Sequence, residues 1–280
     1  MGGRRLAVRL VIGLLFATTI VRVALIADNW GFEDVDAYWQ AALRLRAGEP
    51  LYPAAVDPDS YRVFRYAPWF AWLWVPLTYL PQNLVEMAWG GLLAAASAWV
   101  LVALARLRSP AAWALALVIA PWLLSLVQVG NIQPLVVAML AFGVSRASGP
   151  VWVGIAASLK AVPALWALVY VARRQWGRVL LAAVIALVLI SPVLLFELDG
   201  YMTDPGRSFS LYYYVSPAAW AAGAVASAAV ATYLAWRRSP WLWVAIAVAA
   251  MALAPRSHVT YATFLAIGLL GGERDRITRG

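Results

Sequence analysis

Cysteine is absent from this chain of 280 residues, and histidine and lysine occur only once each, as His258 and Lys160. Without cysteine the chain can form no disulfide, no zinc finger and no cysteine nucleophile. A single histidine likewise excludes a metal site that is built from several histidines of one chain. We predict that the protein uses no metal and no cofactor.

Charged residues are also scarce, at 12% of the sequence against 64% hydrophobic residues, and the mean hydropathy is +0.76. Such a composition is typical of a polytopic membrane protein rather than a soluble domain. Sixteen tryptophans and twelve tyrosines fit the aromatic belts found where helices meet lipid headgroups. The net charge of +9 comes from arginines in short clusters between apolar runs. We predict a chain that lies in a lipid bilayer and binds no nucleic acid.

Long apolar runs predict an all-α transmembrane bundle of about 8–10 membrane segments, some of them short or re-entrant. Residues 6–27 are too long for the apolar core of a signal peptide and precede no small-residue cleavage site, so we expect a retained first span. Prolines interrupt 66–81, which favours an interfacial or re-entrant helix there. The remaining segments are predicted at 84–105, 111–128, 131–145, 150–172, 179–197, 217–236, 241–255 and 257–271.

The arginine clusters indicate how these segments are oriented. If the N-terminal arginines are cytoplasmic, the later clusters are cytoplasmic too, provided that 150–172 is a hairpin that enters and leaves on one side. Lys160 and Pro163 interrupt this stretch. As a single span it would place Arg237 and Arg238 outside. We therefore predict a hairpin, in a plasma or inner membrane protein with a cytoplasmic N-terminus.

The whole chain, 1–280, is predicted to be one integral membrane domain. Two extracytoplasmic loops are long: 28–83, which is expected to contain interfacial helices, and 197–216. Long loops commonly carry the binding and catalytic residues of a helical scaffold. The active site is therefore expected on the extracytoplasmic side.

Two aspartates, Asp34 and Asp36, follow the first predicted span. Either could cap the start of the next helix, since aspartate is common there. A carboxylate at the boundary of water and lipid could instead act as a general base for a sugar hydroxyl. The two acids could also divide these roles, with one raising the pKa of the other.

Cationic side chains could bind a phosphate. Lys160 lies inside an apolar stretch, where an ionisable residue is costly and usually functional. Phosphate binding is our preferred role for it, against snorkelling or pairing with an acid. Arg62 and Arg65 could clamp a phosphate because guanidinium groups match its oxygens, or could extend towards headgroups. Arg207, in the second long loop, is a further phosphate candidate.

Amides and a histidine complete the candidates. Gln128, Asn131 and Gln133 surround a helix break, where they could line an outer cavity or bond between helices. His258 falls at the outer edge between the last two predicted spans. It could be a catalyst or an ordinary interfacial residue.

Several motifs occur in a fixed order along residues 30–180. They are Asp34-x-x-x-Tyr38, Gly48-x-x-Leu51-Tyr52, Phe64-x-Tyr66-x-Pro68, Gly130-Asn131-x-Gln133, Lys160-x-x-Pro163 and Arg173-Arg174-x-Trp176. In this order they resemble glycosyltransferase family 87, the polyprenyl-phosphate-mannose-dependent mannosyltransferases of the GT-C superfamily.

The resemblance implies a GT-C-like bundle with an extracytoplasmic active site, a lipid-phosphate sugar donor and inverting transfer. The catalytic aspartate of the family corresponds to Asp34. The segment around His258 matches the family only in part. Substrate-binding residues are predicted to be Tyr38, Tyr66, Asn131, Gln133 and Arg256.

The sequence therefore predicts a membrane glycosyltransferase that moves a sugar, mannose by resemblance, from a polyprenyl phosphate to an extracytoplasmic glycolipid or glycan. Asp34, Asp36 and His258 are the catalytic candidates, and Lys160, Arg62, Arg65 and Arg207 the donor-phosphate candidates. Two alternatives stay open. One is a transporter or flippase for a lipid-linked or anionic solute, which would also use an intramembrane lysine and broken helices. The other is a non-catalytic assembly partner derived from the enzyme.

Overall fold

The computed structural model describes residues 31–53, 63–198, 200–201, 211–256 and 258–279, with isolated positions between 10 and 21. Within these residues all regular structure is helical, which confirms the predicted all-α fold. The α-helices are α1 (Glu33–Ala47), α2 (Pro68–Trp74), α3 (Gln82–Arg106), α4 (Pro110–Val129), α5 (Gln133–Gly143), α6 (Gly149–Leu159), α7 (Leu168–Ala172), α8 (Trp176–Ile190), α9 (Leu211–Tyr214), α10 (Pro217–Trp236), α11 (Leu242–Leu253) and α12 (Phe264–Arg279). Short 3-10 helices lie at Val75–Tyr79, Val162–Ala167, Ser191–Leu195 and Val259–Thr263.

Four segments of the described chain are long and apolar enough to cross a membrane: Gln82–Arg106, Pro110–Val129, Trp176–Leu195 and Pro217–Trp236. Five shorter apolar segments accompany them: Gln133–Gly143, Gly149–Leu159, Val162–Ala172, Leu242–Leu253 and Val259–Glu273. This mixture of long and short segments agrees with the predicted polytopic bundle. The predicted first span, 6–27, lies mostly outside the described residues.

The predicted interfacial segment at 66–81 forms α2 followed by the 3-10 helix Val75–Tyr79. Pro68 begins α2 at a position where its missing N–H costs nothing. Pro76 lies in the first turn of the 3-10 helix, and Pro81 precedes α3. Three prolines within fourteen residues therefore keep this region in short pieces.

The chain reverses between α6 and α7, as the predicted hairpin requires. Lys160 has extended backbone, with φ −142° and ψ 119°, and ends α6. After the 3-10 helix Val162–Ala167 the chain returns along α6. The end of this returning arm, in α7, is fixed by a hydrogen bond from the Tyr170 hydroxyl to the Val144 carbonyl at 3.0 Å. The two arms therefore start and finish at the same end of the bundle, with Lys160 at the tip.

The bundle has two chemically different ends. Arg174 and Arg238 line one pocket, which places the arginine-containing turns after α7 and after α10 side by side. Ala111, close after the turn with Arg108, lies with Trp241 in a neighbouring apolar cavity. We call this the arginine end. The helices α4 and α11 both run from here to the opposite end, where the tip of the hairpin lies.

Helix α1 lies at that opposite end and begins in a strained conformation. Phe32 precedes it with φ 44°, a left-handed conformation that costs a non-glycine residue about 1–2 kcal/mol. The Phe32 N–H donates to the Gln128 carbonyl at the end of α4, at 3.0 Å. Farther along, the Arg46 guanidinium donates to the Thr78 hydroxyl at 2.7 Å. Both ends of α1 are thus fixed to the bundle, and its first turn faces the turn between α4 and α5.

Gly130 forms that turn, with φ 74°, and ends α4 as a left-handed cap. A Cβ at this position would clash with the Val35 side chain and would lie 3.5 Å from the Phe32 ring. Gly48 caps α1 with nearly the same backbone, φ 70°, but a Cβ there would meet open space. The two glycines therefore differ only in what surrounds them.

We expect Gly130→Ala to destabilise the protein more than Gly48→Ala. Backbone strain alone predicts a loss of about 1–2 kcal/mol in unfolding free energy for Gly48→Ala. The added collision with α1 should raise the loss for Gly130→Ala to about 2–4 kcal/mol. Thermal unfolding of both variants in one detergent, at one scan rate, measures the difference. Equal drops in Tm would show that α1 is not packed tightly on this turn.

Candidate active site

A cavity of about 410 Å³ opens at the end of the bundle opposite the arginine end. Its walls come from α1, the segment before α2, the turn between α4 and α5, the hairpin tip and the segment between α11 and α12. Eight residues that the sequence analysis selected line it together: Asp34, Tyr38, Arg65, Tyr66, Asn131, Lys160, Arg256 and His258. Residues far apart in the sequence thus meet in one place.

Asp34, Asn131 and Lys160 form a hydrogen-bonded chain at the centre of the cavity. The Asn131 Nδ2 donates a short hydrogen bond to Asp34 Oδ2. The Lys160 Nζ donates to Asn131 Oδ1 at 3.4 Å. A single amide therefore joins the carboxylate to the ammonium group and keeps the two charges apart.

The backbone fixes the orientation of this amide. The N–H of Gln133, at the start of α5, donates to Asn131 Oδ1 at 2.9 Å. The amide oxygen thus accepts from the Gln133 N–H and from Lys160, so the side chain must point its Nδ2 donors towards Asp34. Asn131 can hold this position because the left-handed Gly130 turns the chain just before it.

Burial raises the pKa of the Asp34 carboxyl above its ordinary value. The hydrogen bond from Asn131 and the charges of Lys160 and Arg65 act in the opposite direction, while the charge of Glu33 adds to the increase. Burial is the largest of these effects. A carboxylate with a raised pKa is a stronger base, which suits proton abstraction at neutral pH.

Aromatic side chains form the wall beside Asp34. The Tyr38 hydroxyl donates to the Tyr66 hydroxyl at 3.2 Å, and the two rings meet edge to face. Burial and the charge of Asp34 raise the pKa of Tyr66, so its hydroxyl stays protonated. On the other side the Lys160 ammonium lies 5.3 Å from the centre of the Tyr261 ring, within range of a cation–π contact.

Several predicted residues lie elsewhere. Asp36 does not line the cavity, and its carboxylate accepts from the Gln40 amide at 3.4 Å. Gln133 is completely buried behind the cavity, where its amide donates to the Thr263 hydroxyl at 3.5 Å. Arg62 and Arg207 lie outside the described residues. Conversely, Tyr201, Thr260 and Tyr261 line the cavity although no sequence pattern selected them.

The apolar spans and the closed helical bundle define a polytopic membrane protein. A family model described as glycosyltransferase family 87 matches residues 64–204, half of the chain. The chain belongs to this family and is therefore a membrane glycosyltransferase, as its ordered motifs predicted. No curated protein and no solved structure matches the chain.

The matched stretch covers only part of the cavity. It contains Arg65, Asn131 and Lys160, whereas Asp34 precedes it and His258 follows it. The family match therefore includes the stretch that carries these three residues and does not extend to Asp34 or His258. The assignment of the base depends on the geometry around Asp34.

Proposed function

We propose that the chain transfers a sugar, mannose by family resemblance, from a polyprenyl-phosphate donor to an extracytoplasmic glycolipid or glycan, with inversion at the anomeric carbon. The observation that carries this proposal is the Asp34–Asn131–Lys160 chain inside the cavity. It presents a base and a cation to one space, separated by one amide. Substitution at the anomeric carbon needs a base that accepts the proton of the acceptor hydroxyl. It also needs a cation that stabilises the leaving phosphate.

Asp34 is the general base in this proposal. The acceptor hydroxyl attacks the anomeric carbon of the donor sugar and gives its proton to Asp34. The bond between that carbon and the phosphate oxygen breaks, and its electron pair leaves with the polyprenyl phosphate. Attack and departure occur on opposite faces of the sugar, so the configuration inverts. Asp36, which lies outside the cavity, takes no step here.

Lys160 stabilises the negative charge that develops on the leaving phosphate. Arg65, which lines the same cavity, is its partner in binding the donor phosphate. Arg62 and Arg207 remain candidates for the same role. The leaving group is already an ionised phosphate, so the proposal includes no metal.

Tyr66 and Arg256, which line the cavity, bind the sugar and the acceptor, while His258 serves as a second proton carrier. Tyr38 holds the Tyr66 hydroxyl in place. Asn131 is a positioning residue, since its amide is already bonded to Asp34, to Lys160 and to the backbone. Gln133 supports Asn131 from behind.

The arginine end is cytoplasmic in this proposal, and the cavity opens on the extracytoplasmic side of a plasma or inner membrane. The gathering of the arginine-containing turns at one end of the bundle supports this orientation. The hairpin supports it as well, because it lets the turns on both sides of α6 and α7 share that end.

The test is transfer of radiolabelled mannose from polyprenyl-phosphate-mannose, in membranes with and without the chain. We expect a labelled glycolipid or glycan that forms only when the chain and the lipid-linked donor are both present. Movement of the intact donor across the bilayer without transfer would support a flippase instead. Neither transfer nor movement would support a non-catalytic partner.

The transfer rate should depend on the protonation of Asp34. Only the ionised carboxylate can accept a proton, so kcat/KM should rise with pH through the pKa of Asp34. Because that pKa is raised, the rise should lie above the ordinary carboxyl range near pH 4. In Asn131→Ala the loss of a hydrogen bond that lowers the pKa should move the rise to higher pH. A pH–rate profile of both proteins measures this.

The pH profile separates positioning from binding. The groups that face Asp34 include Lys160, Arg65, Glu33 and Tyr66, and none of them is substituted in Asn131→Ala. If Asn131 only contacted substrate, its removal would lower the rate equally at every pH. An unchanged midpoint would therefore contradict the positioning role.

A further inference from the structure

Three turns between helices contain an arginine in a left-handed backbone conformation. Arg108, Arg174 and Arg238 have φ of 52°, 54° and 51°, and each lies two residues after the end of a helix, α3, α7 and α10 respectively. Glycine or asparagine usually occupies such positions, because the left-handed conformation has a steric cost for other residues. Arginine recurs at this position three times despite that cost. The transfer site does not explain this feature, because the turns lie at the opposite end of the bundle.

Two of these arginines face one pocket. Arg174 and Arg238 line a space of about 290 Å³ together with Trp176 and Trp236, and Val171 and Ala172 also line it. The contacting segments are the end of the hairpin and the end of α10. Arg108 does not line this space, although it has the same backbone conformation.

The pocket is positively charged and amphipathic. No carboxylate from the described part of the chain lines it. Among the described residues, neither Arg174 nor Arg238 has an ion pair or a side-chain hydrogen bond. Both arginines are exposed, as are Trp176 at 55% and Trp236 at 74%. Two guanidinium groups and two exposed indoles thus surround an apolar floor, at the end of spans long enough to cross a bilayer.

We propose that this pocket binds the headgroup of an anionic phospholipid, from the leaflet at the arginine end. Guanidinium groups form paired hydrogen bonds with phosphate oxygens, and basic pockets between membrane helices bind anionic headgroups. Exposed tryptophans prefer the boundary between headgroups and acyl chains, which favours a lipid over a free phosphate. The site is independent of the proposed transfer reaction and lies at the other end of the molecule.

The test is native mass spectrometry of the delipidated full chain in detergent, titrated with phosphatidylglycerol and with phosphatidylcholine. We expect the first phosphatidylglycerol to bind at least tenfold more tightly than phosphatidylcholine. Arg174→Gln with Arg238→Gln should remove that preference. The matched control is Arg106→Gln with Arg108→Gln, which loses the same charge at the same end and should keep the preference.

Other outcomes would overturn the proposal. If both double variants lost the preference for phosphatidylglycerol equally, the preference would depend on the overall charge of this end and not on the pocket. Competition by millimolar inorganic phosphate would show a free-anion site instead. As a check on folding, Arg174→Lys with Arg238→Lys should restore part of the preference, because it returns the charges without the paired geometry. No recovery in that variant would also contradict the proposal.

Discussion

Asp34→Asn is expected to lower the rate of sugar transfer by about 10²–10⁴-fold, the usual contribution of a general base. Asparagine has the same shape as aspartate and can still accept the hydrogen bond from Asn131. It cannot take up the proton of the acceptor hydroxyl. The fold and the affinity for the donor should therefore remain, and the loss should appear in kcat. Initial rates at varied concentrations of polyprenyl-phosphate-mannose separate kcat from the KM of the donor.

Asp36→Asn is the matched control for this variant. It removes the same charge two residues along the same helix, from a carboxylate that does not line the cavity. We expect its transfer rate to stay close to that of the unaltered protein. Full activity of Asp34→Asn together with a loss in Asp36→Asn would transfer the role of base to Asp36. Full activity of both would remove the base from this helix.

Lys160→Met is expected to lower kcat by about 10²–10³-fold, as the loss of one stabilising group for a developing charge usually does. Methionine fills a similar volume and suits the apolar hairpin, so the tip should keep its packing. The oxygen of Asn131 still accepts from the Gln133 N–H. The variant therefore removes the positive charge with little other change. The KM of the donor should rise as well, because the same ammonium binds the phosphate before transfer.

Two further substitutions test this reading of Lys160. Lys160→Arg keeps the charge but changes the geometry, and it should retain more activity than Lys160→Met. Arg108→Gln removes a positive charge from the opposite end of the bundle and should leave transfer unchanged. If Lys160→Met kept the original kcat, the lysine would have only a structural role and the phosphate would have to bind elsewhere.

Much of the fold could be predicted because bilayer thickness sets the length of an apolar run. The segment 217–236 was predicted with the bounds that α10 has. The hairpin could also be predicted, because Lys160 and Pro163 interrupt an apolar stretch and the arginine clusters require a reversal there. The arrangement of α2 followed from its prolines.

Individual residues of the candidate site could be predicted, but the contacts between them could not. Asp34 and Asn131 are 97 positions apart, and Asn131 and Lys160 are 29 apart. No local pattern shows that such residues touch. Their contacts depend on how α1 packs on the Gly130 turn, which is a tertiary feature.

Residue type alone did not show which polar side chains face the cavity. Asp34 and Asp36 are two positions apart, which on an α-helix corresponds to a rotation of about 200°. They therefore cannot both face one cavity once the segment is helical. Gln133 is polar but faces the interior of the bundle. Tyr201 and Tyr261 were missed because twelve tyrosines in an apolar chain all fit an interfacial belt equally well.

The reversal at Lys160 also constrains how this chain can be inserted and altered. Because Tyr170 returns to Val144, the pair formed by α6 and α7 would contribute no net crossing of the bilayer in the orientation proposed above. Loss of both arms would leave the direction of α8 and all later helices unchanged. Loss of one arm would invert every one of them. In that orientation, any shortened or chimeric version has to keep or remove the two arms together, with the lysine that they carry.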